Sequence, residues 1–312
     1  MATFYHAVVR FLHDLGSLRW EFLAIAVGFH LLRLAVRCPA WRNILRAAFP
    51  DRRVPLMGVA GAYIAGVGIN SIIPARAGDA LKLFLVKRRI QDTHYPTLAA
   101  TLLPETLFDS VVAAVVITWA LAAGAIPGLG DLPGLDTVDW NWPYRHQLVT
   151  SIVLAVVIIG GTLGLVLAQE RIEAFWARVG QGFAILRDWR RFALGVATWQ
   201  AASWVFRFAS IYYFLKAFHM PATAFNTATV LSVQSIATLL PITPGGVGTV
   251  QGLLVVAFKD KIDASTVLSF SVGMHVSTVV ANLIVGFSAI GIMLRTFRWR
   301  QAVRPAEGLA EP

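Results

Sequence analysis

The sequence predicts an all-α polytopic integral membrane protein, built as an inverted-topology repeat with two re-entrant or broken helical hairpins. Three observations carry that expectation. Of 312 residues, 57% are apolar and only 14% charged, with a mean hydropathy of +0.65. Uninterrupted apolar stretches reach the roughly 18–20 residues of a membrane helix. Twice, at 70–82 and at 239–251, proline and glycine interrupt such a stretch.

The second interruption is the more severe. Pro241 and Pro244, with Gly245, Gly246 and Gly248, divide a run that would otherwise read as one long helix. Its flanks, 226–240 and 249–258, hold about 15 and 10 residues and reach roughly 22 and 15 Å, against a hydrocarbon core of ~30 Å. Neither crosses a bilayer alone. Backbone broken at membrane depth is tolerated only where it is buried in protein or lines a cavity. The stretch therefore reads as the tip of a re-entrant hairpin at a binding site. The plainer alternative is a surface loop between two tilted helices.

In chain order, residues 1–18 alternate Phe4, Val8, Phe11, Leu12 and Leu15 with His6, Arg10, His13 and Asp14, an amphipathic pattern suited to lying in the interface. No basic leader with a small-residue cleavage site precedes the apolar run. Residues 19–36 form the first span, with His30 and Arg33 on one face and Arg33 near enough its end to snorkel to the interface. Arg37, Arg42, Arg46, Arg52 and Arg53 then read as one basic cytoplasmic loop. Residues 56–73 carry Gly58, Ala62 and Gly66 four apart, a small-residue packing stripe. That run breaks at Asn70, Pro74, Arg76, Gly78, Asp79 and Lys82 before returning to Lys87, Arg88 and Arg89.

Residues 95–124 read as one long span with Glu105 and Asp109 on one helical face. A charge at mid-bilayer costs ~2.5–3.5 kcal/mol on insertion scales, so these acids should face a polar interior. The acidic, Trp-rich segment 126–147 belongs outside. Residues 148–168 recross with a Gly160–Gly164 packing pair, and 170–191 read as an amphipathic cytoplasmic helix. Residues 192–218 span outward past Arg207. The second broken segment follows, and 264–294 run inward past His275 and Asn282. Arg295, Arg298, Arg300 and Arg304 put the tail, 296–312, in the cytoplasm.

The +10 net charge lies in short clusters between apolar runs, which points to lipid head groups rather than nucleic acid. A single cysteine, Cys38, excludes an internal disulfide framework, and without companions it argues against a thiolate metal site. Loop charge gives residues 19–124 and 192–294 opposite orientations, with 148–168 as the odd crossing. Inverted repeats with discontinuous helices are a recurring transporter plan. Two helix starts inside the bilayer would present unpaired N–H groups and positive dipole ends, an anion site. Arg76 and Lys82 add charge there, and Arg207 is expected beside Glu105 or Asp109. For most of these residues a structural role competes with binding: Asp79 as a helix cap, Lys82 as an interfacial cation, and Glu105, Asp109 and Arg207 as one ion network. His275 and Asn282 read first as helix–helix hydrogen-bonders.

Asn70-x3-Pro74-x-Arg76-x-Gly78-Asp79-x2-Lys82, then Glu105-x3-Asp109, then Leu240-Pro241-x-Thr243-Pro244-Gly245-Gly246-x-Gly248 resemble the lysylphosphatidylglycerol synthase transmembrane-region, or flippase-like, family. The resemblance runs from about residue 18 to 295. It implies an all-helical bacterial inner-membrane protein that moves or presents lipids or lipid-linked intermediates. It also marks Asn70, Pro74, Arg76, Gly78, Asp79, Lys82, Pro244, Gly245, Gly246, Gly248 and Gln251 as substrate-binding candidates, with Glu105, Asp109, Arg207 and His275 as a charge network. Thr106, Gln251 and His275 stand where the family commonly carries Arg, Glu and Arg. Lys82 and Asp79 keep the charges of the usual Arg and Glu. The soluble aminoacyl-transfer domain of the larger members has no counterpart here.

The leading reading is a lipid flippase-like transporter, not an enzyme, with no cofactor and no metal. Its partners would be anionic or phosphate-bearing membrane lipids and a lipid-synthesis protein. The alternatives are a non-transporting scaffold for lipid or glycolipid synthesis and an integral-membrane transferase. The last would want a nucleophile or metal set, and no such cluster stands out.

Overall fold

A computed structural model describes residues 18–73, 77–90, 92–125, 179–239, 248–259 and 261–296. The N-terminal amphipathic segment, 126–178, the C-terminal tail and the two apices 74–76 and 240–247 lie outside the described residues. Every regular element among those described is helical. In chain order they are α1 (Trp20–Ala48), α2 (Leu56–Asn70), α3 (Ala77–Lys87), α4 (Tyr95–Ala100), α5 (Leu103–Ala122), α6 (Thr198–Ala217), α7 (Ala224–Leu239), α8 (Thr249–Ala257) and α9 (Ala264–Thr296). A 3-10 turn (Ala184–Arg187), a short helix (Trp189–Phe192) and a π-helical stretch (Ala193–Ala197) lead into α6.

Three stretches, Trp20–Ala48, Tyr95–Ala122 and Ala264–Met293, are long and apolar enough to cross a membrane. Their outward faces carry Leu32, Val111, Val115, Val280, Ile284 and Ile292, all exposed. Exposed aliphatics repeated along several helices fit a lipid-facing surface.

α1 is the axis of the fold. It packs antiparallel on α6, with Phe22 stacked on Tyr213 and Phe29 on Phe206, while the Ser210 hydroxyl donates to the Ala26 carbonyl at 2.8 Å. α2 lies against α9, and α7 against α5, where the Ser232 hydroxyl donates to the Val116 carbonyl at 3.2 Å. α2 and α3 pack together, as do α7 and α8, the helices on either side of each proline- and glycine-rich break. Two apolar cores result. One gathers the N-terminal half of α1 with α6, α7, α8 and the start of α9. The other gathers the C-terminal half of α1 with α2, α3 and the end of α9. The stretch of α1 between them carries His30, Arg33 and Arg37 alongside the buried Leu34, which belongs to neither core.

The structure corrects three expectations. α1 does not stop before Arg37; it continues through Pro39 to Ala48, placing Arg37, Arg42 and Arg46 on a helix rather than in a loop. Proline forfeits one hydrogen bond, but full burial of Trp41, Ile44 and Leu45 beyond it outweighs that loss. The expected span 95–124 breaks at Thr101 and Leu102. Pro104 has no N–H to offer Ala100, and Thr101 turns inward, donating to the Leu98 carbonyl and accepting from the Trp41 indole at 3.1 Å. The part of the expected amphipathic helix that is described, 179–191, is interrupted at Phe183 and again at Asp188, whose carboxylate caps Trp189–Phe192 through the amides of Arg190 and Arg191.

The small-residue stripe of α2 splits between two neighbours. A Cβ on Gly66 would meet the Gly78 carbonyl of α3 at 2.7 Å, whereas one on Gly68 would meet the Gly286 Cα of α9 at 2.7 Å. Gly28 on α1 faces open space. Gly68→Leu should therefore lower the thermal unfolding midpoint of the purified protein, by about 1–3 kcal/mol of overpacking or more. Gly28→Ala should leave it unchanged or raise it through helix propensity, worth about 0.5–1 kcal/mol. Equal melts for Gly68→Leu and the parent would mean that α2 and α9 do not cross there.

Candidate functional site

The break between α2 and α3 is closed by Asn70. Its side-chain oxygen accepts from the Gly78 amide at 2.7 Å, and its amide nitrogen donates to Asp79 Oδ1 at 3.2 Å. Asn70 and Asp79 thus spend their polar atoms on the turn itself, and Gly78 is where α3 touches α2. Lys82 lies deeper than the interfacial position expected of it. It is buried, with Nζ 4.1 Å from the ring centres of both Trp41 and Tyr63. Two aromatic faces are a favourable setting for a desolvated ammonium.

Glu105 and Asp109 share one face of α5, as their spacing requires. Their cation is Arg37, not Arg207: Nη2 of Arg37 lies 2.5 Å from Asp109 Oδ2 and 3.9 Å from Glu105 Oε2. Arg207 instead donates to Gln234 Oε1 at 3.0 Å and lies over the Trp204 ring at 4.9 Å. The indole N–H of Trp204 donates to the other Asp109 oxygen at 2.9 Å. Asp109 therefore ties α5 to both α1 and α6, and Arg207 reaches it only through Trp204. Reading Arg37 as a loop residue hid this pair from the sequence.

A cavity of about 270 Å³ opens beside this network. Arg33 and Arg207 bring the positive charge; Gln234, Gln251, His275 and Asn282 bring hydrogen-bonding groups. Half-buried Arg33 makes no hydrogen bond or ion pair among the described residues, although Asp109 lies close enough to act on its charge, and the buried Ser271 hydroxyl in the lining has no partner among them either. Another part of the lining is fixed: His30 Nε2 and Asn282 Oδ1 are 2.8 Å apart, and Asn282 Nδ2 donates to the Ser71 hydroxyl at 3.0 Å.

Both breaks reach this cavity. Ser71, at the end of α2, is bonded to Asn282 of its wall, and Val250 and Gln251, in the first turn of α8, line it directly. Gly248 precedes α8 with φ +87°, a left-handed conformation that glycine adopts without strain, and its amide donates to Gln251 Oε1 at 2.7 Å. Of the predicted binding residues, Gln251 lines the cavity together with Arg207 and His275 of the predicted network. Asn70, Gly78, Asp79 and Lys82 belong to the α2–α3 pair behind it. Pro74, Arg76, Pro244, Gly245 and Gly246 lie outside the described residues. Gly248 stands at the start of α8. Arg33 is the cavity residue that the sequence reading assigned to the interface instead.

The family model for the lysylphosphatidylglycerol synthase TM region matches residues 3–286. The chain belongs to that family. It is also similar to the glycosyltransferase AglD of Haloferax volcanii, at 29% identity over 164 residues. That match covers 52% of this chain and 23% of the relative, so the chain spans less than a quarter of that protein's length. No solved structure matches the chain.

Removing Arg37 would leave two acids facing an apolar interior. Breaking a buried pair from one side costs about 3–5 kcal/mol. Arg37→Ala should accordingly lower the thermal midpoint sharply, and adding Glu105→Gln and Asp109→Asn should recover part of the loss. If Arg37→Ala melts like the parent, the pair is not what joins α1 to α5.

Proposed function

We propose that this membrane protein is a flippase-like lipid transporter that takes an anionic, phosphate-bearing head group into the cavity between the two broken helices. The observation that carries the reading is the pair Arg33 and Arg207 in one polar cavity, with Arg33 unpartnered among the described residues. A guanidinium at membrane depth needs a compensating anion, and a phosphate accepts its forked donors well. The first turn of α8 adds the positive end of its helix dipole.

The pairing of helices supports a repeat. If α1, α2–α3 and α4–α5 correspond to α6, α7–α8 and α9, then α2 on α9 and α5 on α7 are equivalent contacts, and α1 on α6 is the contact across the pseudo-twofold. Hairpins entered from opposite sides and meeting at one cavity would give alternating access by rocking one unit against the other. We place the protein in the bacterial inner membrane, with the end of α1 and the C-terminus on the cytoplasmic side, because those are the basic ends. The site needs no covalent chemistry to work in this way. A second reading, a non-transporting accessory to lipid or glycolipid synthesis, is favoured by one observation: the segment shared with AglD is a minor part of a protein named for glycosyl transfer.

The test is movement of fluorescent phosphatidylglycerol between leaflets of vesicles reconstituted with the full chain. Arg33→Gln and Arg207→Gln, if folded, should each slow it roughly tenfold or more, as expected from the loss of a charged hydrogen bond. Arg88→Gln, on the exposed end beyond α3, should not. Parent protein that retains anionic lipid but moves none of a broad panel would favour the accessory reading. Variants that move lipid as fast as the parent would place the site elsewhere.

A further inference from the structure

The second large concavity lies far along α1, outside the polar cavity. A groove of about 930 Å³ is lined by Arg42, Arg46, Arg52, Arg53, Arg190 and Arg191, contributed by the last turns of α1, the loop after it and the segment leading into α6. No carboxylate lines it among the described residues. Arg52 pairs with Asp92 at 3.0 Å and Arg191 with Asp188 at 3.2 Å, which leaves four guanidiniums without an acid among the described residues. Like charges do not collect around one space in a folded chain without cost, and here the backbone holds them there. The Arg42 Nε donates to the Val54 carbonyl at 3.0 Å, bending the loop back over α1. Asn43 donates to the Gly195 carbonyl at 2.8 Å, and Gln181 to the Ala48 carbonyl at 2.7 Å, so both walls are fastened to the same helix end.

The rim is apolar and wet-facing at once. Leu194 on the wall is 76% exposed, Trp189 beside Arg190 is 73% exposed, and Met57 just past Pro55 is 86% exposed. A Trp and aliphatic rim around a basic depression matches the chemistry of a membrane–water boundary, where acyl chains lie against the rim and a phosphate enters the groove. The wall carrying Leu194 and Gly195 is the π-helical stretch, a feature that often marks functional positions in helices.

We infer that this groove is a second, interfacial binding site for the phosphate head group of an anionic phospholipid, in the leaflet facing the end of α1. A ligand with two phosphates suits four unpaired guanidiniums better than one with a single phosphate. The site stands on its own residues and holds whether or not the polar cavity carries lipid.

The test is native mass spectrometry of the full chain, delipidated in neutral detergent and titrated with phosphatidylglycerol, cardiolipin, phosphatidylcholine or inorganic pyrophosphate. Cardiolipin should bind most tightly and phosphatidylcholine weakly. The triple variant Arg46→Gln, Arg53→Gln, Arg190→Gln should weaken anionic lipid roughly 10- to 100-fold, from about one unit of surface attraction per basic residue. The triple change of the same positions to Lys should restore most of the binding, which separates loss of charge from loss of fold. Arg19→Gln, Lys259→Gln, Lys261→Gln removes equal charge elsewhere and should shift affinity less than twofold. Equal loss in both Gln triples would reduce the effect to net charge and overturn the site. Unchanged binding in the groove triple would overturn it as well. Pyrophosphate binding as tightly as cardiolipin, and displacing it, would overturn the lipid assignment in favour of a soluble phosphate ligand.

Discussion

An uncompensated charge in an apolar interior is the constraint on which the rest of this structure depends. Each buried cation answers it differently. Arg37 answers with two carboxylates of α5, Lys82 with two aromatic faces, and Arg207 with an amide and an indole ring. Arg33 makes no hydrogen bond or ion pair among the described residues, feels Asp109 only at longer range, and lines a cavity. The same rule explains Arg37 and Lys82 as architecture, and under the proposed function it makes the cavity lined by Arg33 and Arg207 a place for a ligand anion.

The placement of that cavity follows from the two cores. Apolar packing at either end of α1 leaves a polar layer between them, supplied by His30 and Arg33 on α1 and by His275, Thr278 and Asn282 on α9. Long helices can cross such a layer, but α2 ends beside it and α8 begins in it. Their freed backbone groups must be met by protein, water or ligand. Asn70 meets those at the start of α3, and the Gln251 side chain meets the Gly248 amide before α8. Capping residues thus keep the breaks intact, while the residues one position beyond, Ser71 and Val250, bring them to the cavity.

The helical class, the two broken segments and most helix bounds were legible in composition and in proline and glycine positions. The bounds expected for 226–240, 249–258 and 264–294 fall within two residues of α7, α8 and α9. Three features were not legible, each because tertiary packing overrode a local signal. Pro39 and Arg37 look like a helix end, but the buried run from Trp41 to Leu45 carries the helix through. Pro104 alone does not settle the break at Thr101, which also depends on a hydrogen bond from Trp41, sixty residues away. The i, i+4 acids announced an ion network, yet which arginine joins it depends on the rotation of α1 against α5. Of the residues that line the cavity, the sequence singled out Arg207 by its burial cost, and Gln251 and His275 by the family resemblance. Arg33 was set aside because an arginine near the end of an expected span reads as snorkelling, and the span does not end there.

The account's central claim is that the cavity between the hairpins holds an anionic head group. The most direct measurement places a single cysteine at Gln251 in a Cys38→Ser background. It follows the rate at which a small thiol reagent modifies that cysteine as lipid is added to the purified protein. The account predicts that phosphatidylglycerol protects the cysteine at saturation, that phosphatidylcholine does not, and that adding Arg33→Gln abolishes the protection. A modification rate that is the same with either lipid, in a protein that melts like the parent, would contradict it.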